Sequence, residues 1–238
     1  MKGFRFTGTE LFLFEGARRW KEYFGALIRG YLRGRVLEVG AGRGGTTLSL
    51  CDGKQDSWLC LEPDEELESI LQERIRRGDL PPCCRAQKGT LEDLNPGARF
   101  DAILYIDVLE HIPEDRRELQ RAVGFLREGG NLVVIAPAHE SLRSPFDERL
   151  GHHRRYSQEA IRSISPPGAE VRELRYLDSF GFFCSLANRF FLRREKPAAW
   201  QISFWDGVCI PCSRAVDPLL GYSFGRSLLA VWQRKGPG

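Results

Sequence analysis

The chain has no long apolar segment of the kind that export or membrane insertion requires. Residues 1–6 contain no uninterrupted apolar stretch resembling the core of a signal peptide. No other stretch of the 238 residues approaches the roughly 20 apolar residues that a membrane-spanning helix needs. We therefore expect a cytoplasmic protein without stable membrane insertion.

Cysteine pairs with the spacing of a zinc site are also scarce. The chain has seven cysteines, and an odd set without an export signal is typical of reduced thiols. Cys209 and Cys212 form the only CxxC pair, and neither a second pair nor histidine partners accompany it. We expect plain buried cysteines there rather than a zinc or redox site.

Neither positive nor negative charge is in large excess. The formal net charge is +3, and the Arg-Arg pairs at positions 18, 76, 116, 154 and 193 are scattered rather than clustered. No Asn/Asp-Pro-Pro-Tyr/Phe motif follows the fourth predicted strand. Nucleic acid is therefore disfavoured as a partner. The hydrophobic content of 42% is that of an ordinary globular protein.

Glycines are concentrated just after an apolar strand. Residues 36–47 read Val-Leu-Glu-Val-Gly-Ala-Gly-Arg-Gly-Gly-Thr-Thr, so the chain turns sharply and brings backbone N–H groups close to a ligand. Gly40, Gly42 and Gly45 also satisfy the dinucleotide pattern, with Glu62 downstream to hold a ribose. An NAD(P)-dependent oxidoreductase is therefore one interpretation of this segment.

Glu38 favours a different cofactor. A carboxylate two residues before the first glycine would repel a pyrophosphate docked on the following helix. S-adenosylmethionine carries an ammonium and a sulfonium and has no phosphate, so the same acid attracts it. The segment therefore favours a methyl donor over a dinucleotide.

Strand and helix patterns alternate along the chain, which is typical of a parallel sheet covered by helices on both faces. In such a sheet, ligands bind at the carboxyl ends of the strands. That edge receives Glu62 after the second strand and Asp107 after the fourth. The predicted strands are residues 36–39, 58–61, 83–88, 100–106, 131–136, 171–176 and 227–232.

The sequence resembles class I S-adenosylmethionine-dependent methyltransferases. The motifs that carry the resemblance are residues 38–44, 61–64, 100–103, 107–111 and 126–130. It implies a Rossmann-like α/β fold, a seven-stranded mostly parallel sheet with a last antiparallel strand. It also implies that the methionine moiety lies at Glu38, Gly40 and Gly42, the ribose at Glu62, the adenine near Glu92, and the acceptor beside Asp107. The cofactor residues expected on this basis are Glu38, Gly40, Ala41, Gly42, Glu62, Pro63, Leu91, Glu92 and Asp107.

A single domain of residues 1–238 accommodates all these elements. Residues 1–34 are expected to form a helical cap, residues 35–176 the cofactor-binding core and residues 225–238 the final strand. Residues 177–224 form an aromatic-rich insertion. We expect it to be an acceptor lid in the first place, a dimer interface in the second and a peripheral membrane contact in the third. We expect a monomer or a homodimer.

All four histidines follow the fourth and fifth strands, on the side where an acceptor meets the methyl group. A histidine is the natural general base when the acceptor arrives protonated. The candidate catalytic residues are Asp107, His111, His139, His152 and His153.

Two further features concern the acceptor site. Asp107, Glu110 and His111 form a possible divalent-cation site, although the simpler interpretation needs no metal. Arg154, Arg155 and Tyr156 follow the last two histidines and are expected to bind an anionic or polyhydroxylated acceptor.

Together these features predict methyl transfer from S-adenosylmethionine to a small molecule, with S-adenosylhomocysteine as product. A hydroxyl acceptor on a secondary metabolite, glycan or lipid-like compound is favoured over nitrogen or carbon. A nucleic-acid methyltransferase and a non-catalytic binding module remain as alternatives.

Overall fold

The computed structural model describes residues 16–187 and 198–236. The first fifteen residues of the expected cap lie outside the described residues. So do Phe190, Phe191 and the Arg-Arg pair at 193 in the expected insertion.

One seven-stranded sheet organises the described chain, in the order β3-β2-β1-β4-β5-β7-β6. The first five of these strands run parallel, and β7 is antiparallel to both of its neighbours. This confirms the mostly parallel α/β fold with a last antiparallel strand. The strands are β1 (Arg35–Val39), β2 (Ser57–Glu62), β3 (Cys84–Lys88), β4 (Phe100–Ile106), β5 (Leu126–Pro137), β6 (Ala169–Leu177) and β7 (Ser227–Arg234).

Helices cover both faces of this sheet, and a π-helical turn at Trp205–Cys209 joins the last two. None of the helices in the described ranges combines the length and the apolarity that crossing a bilayer takes. The helices are α1 (Arg18–Ile28), α2 (Gly45–Leu50), α3 (Glu65–Arg76), α4 (Asp115–Phe125), α5 (Pro145–Leu150), α6 (Gln158–Ser163), α7 (Ser179–Ala187), α8 (Ala199–Phe204) and α9 (Ile210–Val216).

The strands at the centre of the sheet are apolar on both faces because each face packs against its own core. Successive side chains point to opposite sides of a strand. Val36 of β1 accordingly belongs to one buried cluster and Leu37 to the other. Ala102 and Ile103 of β4 divide in the same way. This two-sided burial explains why the sequence shows continuous apolar runs rather than alternation.

Helix α1 packs its apolar face over the edge of the sheet where the ligand site is expected. Trp20, Phe24 and Ile28 are buried, as their spacing predicts. The Trp20 ring lies 6.0 Å from the ring of Trp205, centroid to centroid. The helix thereby joins the π-helical turn in covering that edge.

The fifth strand differs from its prediction. It begins at Leu126 and not at residue 131, so Gly129 and Gly130 lie inside the strand. Gly129 has a φ of +73°, and the register against β4 shifts between Phe100 and Ala102. The glycines therefore form a bulge inside a longer strand. The final strand spans Ser227–Arg234 and so extends beyond the predicted residues 227–232.

Candidate functional site

A cavity of about 1030 Å³ opens at the carboxyl ends of β1, β2 and β4. This volume is at the upper end of the range for small-molecule sites. Its floor is formed by the glycine loop after β1 and by the residues that follow β2 and β4. Its roof includes Trp20, Lys21 and Phe24 of α1 together with Trp205. The cavity is thus placed where open α/β sheets bind ligands.

The glycine loop is shaped by close packing and by bonds to the neighbouring strand. Gly40 has a φ of +67°, and a Cβ there would lie 2.6 Å from a methyl carbon of Val108. The backbone N–H groups of Gly40 and Ala41 both donate to the carbonyl of Leu61. A side chain at position 40 is excluded by conformation and by space, so the backbone itself forms the cavity wall.

Glu62 lies at the cavity floor with its carboxylate held in place. Oε2 accepts a hydrogen bond from the Gly42 N–H at 2.8 Å, and Oε1 accepts one from the Asp64 N–H at 3.1 Å. Burial raises the pKa of Glu62, while these two bonds oppose the shift. Each oxygen keeps a further lone pair, so the group suits the hydroxyls of a ribose.

Glu38 lies beneath the loop rather than at the cavity surface. It is 2% exposed, and its Oε2 accepts hydrogen bonds from Thr47 Oγ1 at 2.6 Å and from Trp58 Nε1 at 2.8 Å. Burial raises the pKa of Glu38 to about 7, against the effect of these bonds and of the Lys21 ammonium. Glu38 therefore does not line the cavity, although the sequence had predicted it among the cofactor-binding residues.

Asp107 faces the cavity from the end of β4. Its backbone has a φ of +54°, which is uncommon for a residue other than glycine, and its N–H donates to the Ile135 carbonyl. The side chain opens into the cavity, yet the surrounding protein raises the pKa of Asp107 by desolvation. His152, Arg226 and Arg155 oppose that shift electrostatically.

Beside Asp107, the structure brings one acid and two histidines together. The ligand atoms of Glu110, His111 and His152 all lie within 4.8 Å of one another. Glu110 is fully buried, and among the described residues neither of its carboxylate oxygens has a hydrogen-bond partner. Burial and the charge of Asp107 raise the pKa of Glu110 well above its usual range. Burial and the two neighbouring histidines lower the pKa of His111 to about 3.

His152 is oriented by an acid that the sequence analysis missed. Its Nδ1 lies 3.0 Å from Oδ1 of Asp147, and its Nε2 lies 3.9 Å from Oε1 of Glu110. Asp147 also accepts bonds from Ser144 and from the Arg155 guanidinium. Burial favours the neutral acid, but these partners lower the pKa of Asp147 below its usual range. The capping-box spacing of Ser144 and Asp147 at the start of α5 is the sequence signal for this acid.

Several predicted site residues line the cavity, and others do not reach it. Pro63, Glu92, His153 and Arg155 lie at its wall with the glycine loop, and Glu92 also pairs with Arg121 at 2.9 Å. Leu91 is 1% exposed and packs in the core of the sheet.

Arg154, Tyr156 and His139 are not among the residues that line the cavity. Arg154 forms an ion pair of 2.6 Å with Asp115, and the buried Tyr156 hydroxyl donates to the same carboxylate at 2.9 Å. The His139 ring stacks on Tyr176 at a centroid distance of 4.5 Å. In this structure these three side chains contact the loops around the cavity.

The sequence is similar to known methyltransferases and to part of one larger protein. The family model described as a methyltransferase domain matches residues 11–174. A probable nonribosomal peptide synthetase, CymA, of Salinispora arenicola is 25% identical over 227 residues, which are 92% of this chain. Ajmaline N-methyltransferase of Rauvolfia serpentina is 24% identical over 181 residues, 75% of this chain. The chain spans only 3% of the synthetase and 57% of the plant enzyme.

Solved structures share the fold at lower sequence identity. The N-methyltransferase NodS of Bradyrhizobium japonicum, solved with S-adenosylhomocysteine, has a TM-score of 0.58 and is 16% identical. The match covers 94% of this chain and 88% of that one. The family match favours a methyl donor over a dinucleotide, since the fold and the cavity position suit either ligand.

Proposed function

Because this chain belongs to the methyltransferase domain family, we propose that it transfers the methyl group of S-adenosylmethionine to a hydroxyl group of a small molecule. The observation that carries the proposal is the pair formed by Asp147 and His152 at the cavity wall. An oriented histidine is needed for an acceptor that must lose a proton before or during transfer.

His152 is the general base in this proposal. With Nδ1–H donated to Asp147, the lone pair of the ring is on Nε2, at 3.9 Å from the Glu110 carboxylate. His111 is the weaker candidate because its burial disfavours the protonated ring. During transfer, Nε2 of His152 would accept the proton that the acceptor hydroxyl loses as its oxygen takes the methyl group.

The cofactor half of the cavity is assigned to the residues after β1 and β2. Bound S-adenosylmethionine supplies an electrophilic methyl group on a sulfonium. Glu62 would hold the ribose hydroxyls, the backbone of Gly40 and Gly42 would line the methionine portion, and Glu92 would lie near the adenine. Holding donor and acceptor together in one enclosed cavity supplies much of the rate acceleration in such a displacement.

The acceptor half indicates a partly apolar molecule. Trp20, Phe24, Phe146 and Leu150 form apolar wall, and Arg226 adds positive charge directly before the start of β7. We infer a hydroxylated, largely hydrophobic acceptor with an acidic substituent. The name of the plant relative, an N-methyltransferase, makes a nitrogen acceptor of similar shape the nearest alternative.

The base is tested with the single variant His152→Gln. S-adenosylhomocysteine formation is measured with a panel of hydroxylated aromatic compounds of graded acidity and with the matching amines. We expect the turnover number to fall about 100-fold or more for weakly acidic hydroxyls, and much less for phenols that ionise without help. Calorimetry with S-adenosylhomocysteine serves as the control for folding, and its affinity should stay unchanged.

Either of two results would contradict this role of His152. One is an equal loss across all acceptor acidities, and the other is no loss at all. Turnover of the amines alone would replace the hydroxyl acceptor with nitrogen.

A second candidate is methyl transfer assisted by a divalent cation at Glu110, His111 and His152. The buried Glu110 carboxylate favours it, because it accepts no hydrogen bond from residues 16–187 or 198–236 and a cation would give it a partner. Imidazole with carboxylate suits zinc or manganese, and a bound cation would lower the pKa of an acceptor hydroxyl. Asp107 is not in this group of ligand atoms, although the sequence had included it.

Exhaustive chelation distinguishes the two candidates. If His152 acts as a base without metal, activity should survive chelation and respond little to added manganese or zinc. Activity that vanishes on chelation, returns with one cation and is absent in Glu110→Gln would establish the second candidate instead.

A further inference from the structure

Three cysteines meet at the end of the sheet opposite the cavity. Cys51 follows the last residue of α2, and Cys84 is the first residue of β3, with Cys83 just before it. Sγ of Cys51 lies 3.4 Å from Sγ of Cys83 and 3.7 Å from Sγ of Cys84. All three sulfur atoms lie within 4.8 Å of one another, and all three residues are free thiols.

These separations fit one metal ion bound to all three sulfurs. Zinc–sulfur bonds of about 2.3 Å in a tetrahedral site place neighbouring sulfurs about 3.8 Å apart. The three thiols thus hold the required arrangement with only small adjustments. Oε1 of Gln55, at 3.5 Å from Sγ of Cys51, is near enough to approach the fourth position, which water can also fill.

The three thiols differ in their pKa. Hydrogen bonds from Cys84, the Gly53 backbone and Cys83 lower the pKa of Cys51 to about 6, although burial opposes them. Burial raises the pKa of Cys83, and the hydrogen bond to Cys51 raises the pKa of Cys84. Cys51 and Cys84 are buried, and the half-buried Cys83 gives the group access to solvent. Zinc would ionise the remaining thiols as it binds.

We propose that Cys51, Cys83 and Cys84 form a binding site for one zinc ion, which fastens the end of α2 to the first residue of β3. Binding releases the thiol protons to solvent, so zinc affinity should fall as the pH is lowered. The site lies at the opposite end of the strands from the cavity and has a structural role. It is independent of the methyl acceptor.

Cys184 and Cys209 provide an internal comparison. Their sulfur atoms lie 3.3 Å apart but form only a pair, and they are absent from the groups of three possible ligands found among the described residues. A two-thiol pair does not hold zinc as a closed structural site does. Cys184→Ser is therefore the matched control.

The test uses the full chain, purified under reducing conditions and stripped of metal. Cobalt and then zinc are titrated, because charge transfer from sulfur to cobalt reports thiolate ligands specifically. We expect one equivalent with a thiolate signal and a zinc-dependent rise in the thermal midpoint. Cys83→Ser, at the most exposed of the three, should lose both effects, whereas Cys184→Ser should keep them.

Binding of S-adenosylhomocysteine verifies that each variant is folded. A folded wild-type chain without a thiolate–cobalt signal would overturn the proposal. So would a signal that Cys83→Ser and Cys51→Ser leave unchanged. A cation at Glu110 and its histidines would give no sulfur charge transfer, so the outcome is separable from the candidates for methyl transfer.

Discussion

At the scale of single residues, three buried carboxylates have different surroundings. Glu62 accepts two backbone N–H bonds, Glu38 accepts two side-chain bonds on one oxygen, and Glu110 accepts none from the described residues. Burial raises the pKa of all three. The differences matter because an acid with fixed donors stays ready to bind a ligand, whereas an acid without them must keep a proton or gain a cation.

The titration of Glu38 is testable with Glu38→Gln. The pKa of Glu38 is raised from 4.5 to about 7, so the folded chain keeps a proton that the unfolded chain releases. In the cofactor-free protein, this residue therefore makes stability fall as the pH rises from about 4.5 to about 7. Glutamine cannot titrate and can still accept from Thr47 and Trp58.

Urea unfolding across this pH range measures the effect. The free energy of unfolding of wild type, relative to Glu38→Gln, should decrease with rising pH by up to about 3 kcal/mol. Every other acid is present in both proteins, so the difference isolates Glu38. Parallel pH profiles would show that Glu38 titrates normally.

At the scale of elements, Asp217 joins three helices. Its Oδ2 accepts from the Tyr23 hydroxyl of α1 at 2.6 Å and from the Asp178 N–H at 2.8 Å. Its Oδ1 accepts from the Ser179 N–H at the start of α7. Asp217 is 1% exposed and directly follows α9, so one carboxylate fixes α1, α7 and α9 together.

We predict that Asp217→Ala destabilises the fold by about 3 kcal/mol or more, because three buried donors lose their acceptor. Tyr23→Phe removes one donor and leaves the two backbone bonds, so it should cost about 1 to 2 kcal/mol. Urea unfolding gives both values. Since Trp20 and Phe24 of α1 cover the cavity, affinity for S-adenosylhomocysteine should also fall more in Asp217→Ala.

Calorimetry with S-adenosylhomocysteine, at a temperature where both variants are folded, checks the predicted loss of affinity. If Asp217→Ala binds as tightly as wild type, the roof does not depend on this carboxylate. If the two variants are equally stable, the backbone bonds to Asp217 contribute nothing measurable.

At the scale of the whole molecule, the sequence predicted the sheet better than the site. Apolar runs such as Phe100–Ile106 identify a buried strand, and parallel strands necessarily bring Glu62 and Asp107 to one edge. The direction of a loop side chain leaves no such pattern. Arg154 and Tyr156 bond to Asp115, about forty residues earlier, while their neighbour Arg155 reaches the cavity.

The thiol group and the role of Asp147 were not predicted, for the same reason. Cys51 and Cys83 are separated by 32 residues, so no short spacing rule connects them. Asp147 was missed because its capping role is local, whereas its bond to His152 depends on how the loop folds back. Short-range patterns describe elements well, and contacts between distant loops require the fold.

The bond between Tyr23 and Asp217 spans 194 residues of sequence. During synthesis on a ribosome, α1 is made before strands β1 to β6, and Asp217 is made only after them. A chain that ends before Asp217 therefore lacks the carboxylate that joins α1, which covers the cavity, to α7 and α9.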